Sequence, residues 1–256
     1  MPTAMATRRA DTAFAQARLQ ARHGAMPDER AWHALEASRT AAHYLALARG
    51  GPLARWVEGI GDDADLHRVE RGLRGRWRRY VDEVARWQAP AWRDATRWFG
   101  VLVELPLVAG LLRGDERARA AWPELPADAD VRARAERLRS AGFAPLAATP
   151  PDGGARTLTA TWLAEWRRRL PPGAERDRAL SAPAEWLVPR LRDETAERAA
   201  AAEPVRRALV KLFRHHAFSP VAVYAHLALV ALDVERLRGG VAVRSLAGPP
   251  AAGEHA

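Results

Sequence analysis

The segment Asp65–Gln88, DLHRVERGLRGRWRRYVDEVARWQ, is the best-specified piece of the chain. Leu66, Val69, Leu73, Trp77, Tyr80, Val81, Val84 and Trp87 recur at steps of three and four. With 3.6 residues per turn such positions share one face, so the spacing predicts an amphipathic helix. Arg68, Arg71, Arg74, Arg76, Arg78, Arg79 and Arg86 fill the other positions and make the opposite face cationic. Asp62, Asp63 and Asp65 stand before or at its start, where carboxylates suit the positive end of the helix dipole. Trp77 lies in register with Leu73 and Val81, which assigns it to the core. The arginines alone then face outward, and Arg71, Arg74 and Arg78, at i, i+3 and i+7, form a candidate docking face.

Working outward, the same periodicity predicts a helix over 6–23, then a turn from Gly24 to Pro27. A second helix runs to about Arg49 with Trp32, Leu35, Ala42 and Leu45 on one face, and Gly50-Gly51-Pro52 stops it. A further helix starts near Trp92, and Pro106 must kink or split it, because proline removes a backbone donor. Residues 120–130 read as a linker and 132–141 as a short helix ended by Gly142. Residues 144–155 read as the clearest loop. Leu158, Trp162, Trp166 and Leu170 mark one more helix. Segments 183–192 and 204–216 follow as two helices or as one kinked near Pro204. The last helix, from Pro220 to Arg238, is apolar nearly all round and is expected to be the most buried of the second half.

No stretch alternates with a period of two, and isoleucine occurs once, at Ile60. The expected class is all-α: a multi-helix bundle of roughly eight to ten helices, as one body or as two helical subdomains. The expected boundaries are 6–142 for an N-terminal subdomain, 143–157 for a Pro/Gly-rich linker, 158–240 for a C-terminal subdomain and 241–256 for a disordered tail.

The 256 residues carry a net charge of +9, and Lys211 is the sole lysine among 40 basic residues. A basic balance raises nucleic acid or an anionic surface as a partner. The near-exclusive use of arginine, beside abundant alanine, is equally what a GC-rich genome produces. Cysteine is absent, so disulfides and thiolate metal sites are excluded. No apolar run follows Arg8-Arg9, and no signal peptide is expected. The apolar-rich runs 101–112 and 221–232 fall short of the roughly twenty residues a bilayer span needs. The expected location is cytoplasmic, or peripheral at the membrane through a partner.

Motifs that carry chemistry are sparse. Phosphate-cradling glycine loops and a G-x-S-x-G elbow do not occur. His33–Glu36 and His67–Glu70 put a histidine and a carboxylate on one helix face. Carboxylate-bridged metal bundles use the reverse order with further glutamates, so arginine pairing is the simpler reading. His215-His216, adjacent and about 100° apart on a helix, are poor partners for one ion and suit the negative end of a helix. Glu104, inside an apolar run, is expected at a polar edge or buried beside arginine. No catalytic residue, cofactor or metal site is assigned.

Taken as an ordered series, several short patterns resemble the rotor-seat subunit family of the V-type and archaeal-type rotary ATPases, lettered C in the archaeal-type enzyme and d in the eukaryotic one. They are Ala17-Arg18-Leu19 near the end of a first helix, Leu35 through Thr40 with Tyr44, and Glu70-Arg71-Gly72-Leu73 after an acidic stretch. Glu235-Arg236-Leu237-Arg238 before Gly239, behind Ser219-Pro220 and an apolar helix, completes the series. The similarity covers about 13–113 and 205–240. The family's asparagine in its last motif is missing, the spacing there is two residues shorter, and 114–157 match no part of it. The resemblance implies a non-catalytic, funnel-like helical protein that seats the central stalk on the membrane rotor ring, with rim arginines meeting acidic loops of a partner. Two rival readings stay open: a basic helical module for an anionic partner such as nucleic acid, and a helical enzyme with scattered catalytic residues.

Overall fold

A computed structural model describes residues 2–120, 122, 125, 126, 128–150, 154–192 and 197–246. The protein is all-α, and no strand occurs among the described residues. In chain order the helices are α1 (Pro2–Gly24), α2 (Glu29–Glu36), α3 (Ala41–Arg49), α4 (Ala54–Val57), α5 (Leu66–Trp87), α6 (Pro90–Phe99), α7 (Leu105–Arg113) and α8 (Glu116–Ala120). They continue with α9 (Val131–Leu138), α10 (Ala144–Ala147), α11 (Gly154–Arg169), α12 (Arg178–Arg192), α13 (Glu197–His215) and α14 (Pro220–Leu246). The contacts divide the chain into a larger unit, residues 1–19 with 80–229, and a smaller one, residues 20–79 with 230–256. The expected division at 143–157 is therefore not where the contacts separate; the units change hands inside α1, α5 and α14.

In the smaller unit the helix expected to run unbroken to Arg49 is interrupted. Asp28 caps α2 through Ala31 N–H at 2.8 Å, and Thr40 caps α3 by accepting from His43 N–H at 3.2 Å. A threonine cap needs extended backbone, and Thr40 has φ −116° and ψ 151°. The break resets the helical register. Ala42 is exposed; Leu45 is buried as expected, and Tyr44 and Ala48 join it. From α5 this unit takes the stripe Val69, Leu73 and Trp77, all fully or nearly fully buried.

Gly239-Gly240 does not end the last helix, and residues 241–246 of the expected tail are helical. Two things hold them. The backbone of Gly240 lies against the Tyr44 ring so closely that a Cβ there would collide with it. Arg244 then reaches the C-terminal end of α2, where the last carbonyls of a helix lack intrahelical partners. Its guanidinium donates to Glu36 O at 2.6 Å, Ser38 O at 2.9 Å and Gly240 O at 2.8 Å, and lies 4.4 Å from the Tyr44 ring centroid. Residues 247–256 lie outside the described residues.

The larger unit is built around aromatic rings. Phe99 on α6 meets Trp162 and Trp166 of α11 edge-on at 6.0 and 5.9 Å, and Tyr224 of α14 at 5.1 Å. Trp98 and Trp162 exchange hydrogen bonds: each indole N–H donates to the other residue's backbone carbonyl, at 3.0 and 3.2 Å. Tyr80, Val81, Val84 and Trp87 continue the α5 stripe here and are buried. Gly100 admits Val81, whose methyl groups occupy the place of a Cβ at about 3 Å. A 3-10 turn, Gly100–Glu104, separates α6 from α7, and Pro106 sits in the first turn of α7, where its missing N–H costs nothing.

Three loop expectations change. Within 120–130, Trp122 and Leu125 are buried, and Trp122 packs edge-on against Phe143 at 6.2 Å. Gly142, at φ 89°, turns the chain from α9 into α10, so 144–147 is helical, with Leu146 and Ala147 buried. Helix α12 begins at Arg178, five residues before the expected Pro183, which is carried inside the helix. The junction at 193–196 is outside the described residues. The run Pro90–Arg113 is long and apolar enough to cross a membrane, although the apolar stretch 101–112 within it is too short alone. The most apolar window of that run is 78% buried in the protein itself, as a core helix would be. Residues 221–234 of α14 are all buried, as the all-round apolar pattern predicts.

Candidate functional site

The cationic face of α5 is not one surface. Arg71 and Arg78 are exposed. Arg74 is half-buried and bound to Glu70 at 3.0 Å, both side chains being 17% exposed. The same Glu70 carboxylate receives Arg238 of α14 at 3.2 Å, and Arg238 also holds Glu235 at 3.0 Å. Glu235's charge, against the cost of burial and helped by Glu70, raises the Arg238 pKa above its ordinary value. Two of the motif segments that stand out in the sequence, Glu70–Leu73 and Glu235–Arg238, thus meet in one ion-pair cluster.

A second cluster lies beside it in the smaller unit. Arg236 donates to Glu36 at 2.7 Å and to Glu29 at 2.9 Å, and its guanidinium sits 4.6 Å from the centroid of the fully buried Trp32. Burial opposes its charge, but the hydrogen bonds to Glu36 and Glu29 prevail and raise its pKa. The carboxylates of both His-x-x-Glu pairs are therefore engaged by arginine. The partners are Arg236 and Arg238 from α14, some 170 to 200 residues away, joined by Arg74 for Glu70.

The third arrangement is concave. Gly59, Ile60, Gly61, Arg68, Arg71, Gly72 and Arg76 line a hollow of about 600 Å³ between the α4–α5 loop and the first turns of α5. Sequence accounts for its shape. Ile60, 5% exposed, rests on Gly72, where a Cβ would stand only 3.0 Å from its terminal methyl. Gly72 therefore lets the loop approach the helix. Arg49 pins the loop from the other side through Ile60 O and Asp62, each at 2.5 Å. Gly59 takes a left-handed φ of 66° that favours glycine. Asp65 caps α5 at Arg68 N–H, 2.7 Å away. That bond holds its carboxyl below the usual range, with the Arg71 charge adding to it.

Arg76 donates to Gly72 O at 3.2 Å and lies under Gly59. Burial and then the like charge of Arg79 depress its pKa, with Glu58 pulling the other way. None of Arg68, Arg71 and Arg76 has a carboxylate at ion-pair distance among the described residues, and no carboxylate lines the hollow.

The larger unit holds two further features of this kind. Glu203, Arg206, Arg207, Val210, Lys211, Arg214 and His215 line an open furrow of about 620 Å³ along α13. Tyr80 Oη and His226 Nε2, both buried, are 2.5 Å apart, with the Phe213 ring 6.0 Å from the imidazole. Glu104 is 1% exposed, so it lies buried and not at a polar edge. No group of three or more metal-ligating side chains occurs among the described residues.

Sequence reasoning singled out Arg71, Arg74 and Arg78, of which Arg71 and Arg78 are exposed and Arg74 is paired with Glu70, and it did not single out Arg68, Arg76 or the loop beside them. The available signal was a glycine at 72 inside an otherwise strong helix, which marks close approach of another backbone. Arg244 was missed because it lay beyond a Gly-Gly pair taken for a helix end. Comparison with protein-family models, with curated proteins and with solved structures finds no match to this chain.

Proposed function

We propose that the chain is a non-catalytic helical adaptor, of the kind represented by the rotor-seat subunit of a V-type or archaeal-type rotary ATPase. The observation that carries the reading is the cluster Glu70–Arg238–Glu235. Glu70 and Arg238, 168 residues apart in two of the motifs on which the resemblance rests, pair at 3.2 Å. Arginine–carboxylate pairs of this kind orient elements more than they stabilise them, since partly exposed pairs contribute only about 0–1 kcal/mol each. A part that transmits force through shape needs such cross-bracing. Arg71 and Arg78 remain outward on the braced helix and suit an acidic partner surface; Arg74 serves the bracing.

Nucleic-acid binding, the first rival, calls for arginines from separate helices converging on one stripe with aromatic rings to stack bases. Here the hollow's arginines come from α5 alone, and Trp77 is fully buried. An enzyme calls for convergent groups poised for proton transfer, whereas these carboxylates and guanidiniums neutralise one another. The test is capture of the tagged chain from solubilised native membranes. The expected result is a central-stalk subunit and the rotor-ring subunit in fixed proportion, reduced at least about tenfold by Arg71→Glu with Arg78→Glu. Recovery without either subunit overturns the proposal.

A further inference from the structure

The hollow beside α5 goes beyond the adaptor reading and does not depend on it. We infer that the α4–α5 loop and Arg68, Arg71 and Arg76 form a binding site for a polyphosphate-class anion, that is, two or more linked or neighbouring phosphate groups without an aromatic moiety. Three guanidiniums, all from α5, line the hollow, and no carboxylate is among its lining residues. Guanidinium groups match phosphate oxygens with paired N–H donors, and three on one wall suit an anion with several such oxygens.

The site is built rather than accidental. Ile60 seated on Gly72, and Arg49 on Ile60 O and Asp62, fix the loop. Arg76 is held by Gly72 O. Of the nearby carboxylates, Asp62 binds Arg49, Asp65 caps the helix at Arg68 N–H, and Asp63 lies beside Gly61 at the edge of the loop. Glu58 adds a counter-charge near Arg76.

Size and lining narrow the ligand. About 600 Å³ exceeds what one phosphate fills, and no aromatic side chain lines the space to stack a base. A chain of phosphates, or a multiply phosphorylated polyol, fits both facts. Free polyphosphate and a bis-phosphorylated inositol lipid headgroup present the same chemistry.

The experiment is isothermal titration calorimetry of the full-length chain with tripolyphosphate, alongside flotation with vesicles containing phosphatidylinositol bisphosphate. The expected result is saturable one-to-one binding, weakened about tenfold or more by Arg68→Ala with Arg71→Ala and unchanged by Arg86→Ala, which lies outside the hollow. Gly72→Ala, which removes no charge, should weaken binding about threefold or more by displacing Ile60. Circular dichroism confirms that each variant is folded. Tripolyphosphate binding without vesicle binding assigns a free anion; vesicle binding lost in the same variants assigns the headgroup. Absence of saturable binding to either probe overturns the site. So does an equal loss in Arg86→Ala, or duplex DNA binding that outcompetes tripolyphosphate and survives the double variant, because each would make the attraction a property of net charge. Since the probe is an anion and not a membrane complex, failure here leaves the adaptor reading standing, and the reverse holds.

Discussion

Arg238 near the end of the chain donates to Glu70 near its first third across 3.2 Å, while Arg74 approaches the same carboxylate at 3.0 Å. Glu70 is therefore the shared acceptor of one local and one distant arginine. Arg238→Ala removes the distant partner and leaves Glu235 without its guanidinium. It should cost on the order of 1–2 kcal/mol by urea denaturation, and a Glu70→Gln/Arg238→Ala cycle should show coupling of about 0.5–1 kcal/mol.

The adjacent glycines of α14 should respond in opposite directions. A Cβ at Gly239 meets nothing within 4 Å, so Gly239→Ala should gain about 0.5–1 kcal/mol from helix propensity alone. At Gly240 the same methyl runs into the fully buried Tyr44 ring, which has no room to yield. Gly240→Ala should lose about 1–3 kcal/mol in the same thermal or urea measurement, despite the identical gain in propensity.

Tyr44 also sets an alkaline limit. Burial pushes its phenol from 10 up to about 12, against the opposing charge of Arg244. The unfolded chain ionises first, so this stability is complete below pH 10 and is lost as pH rises through about 12. Roughly 2–3 kcal/mol should disappear over that window, and Tyr44→Phe should flatten it. On the acid side Glu165, bonded first to Arg168 and then to Arg169, has a pKa below the ordinary carboxylate range. Its contribution is present above that range and falls away as pH drops through the folded value. Glu165→Gln should make the acid limb of a melting-temperature profile shallower.

The reciprocal bonds between Trp98 and Trp162 join α6 to α11 inside the aromatic core. Trp162→Phe deletes the indole N–H that donates to the Trp98 carbonyl. It should cost about 1–3 kcal/mol, and Trp98→Phe a similar amount. The double variant should cost less than the sum, because the two bonds hold the same pair of backbones in place.

Helix type and core face were readable wherever local periodicity and burial agree. Val69, Leu73, Trp77 and Leu158, Trp162, Trp166 lie inward as their spacing predicts. What escaped was set by distant partners. The end of α14 depends on Arg244 finding the carbonyls of α2, and the break before α3 depends on a threonine cap that competes with a helical pattern on both sides. The units likewise change within α5 and α14, where no composition shift marks a boundary. Of the candidate docking residues, Arg71 and Arg78 face outward. The i,i+4 spacing of Glu70 and Arg74 already marks Arg74 as paired, whereas the second arginine on that carboxylate lies 168 residues from Glu70 and is not legible locally.

Adaptor function is tested most directly by mass spectrometry of what accompanies the tagged full chain, expressed at its native level, out of gently solubilised native membranes. The predicted result is a central-stalk subunit and the rotor-ring subunit in constant ratio to the chain, both lost in the Arg71→Glu/Arg78→Glu variant while the fold is retained. A chain that elutes free of both subunits from membranes whose rotary ATPase is intact would contradict it.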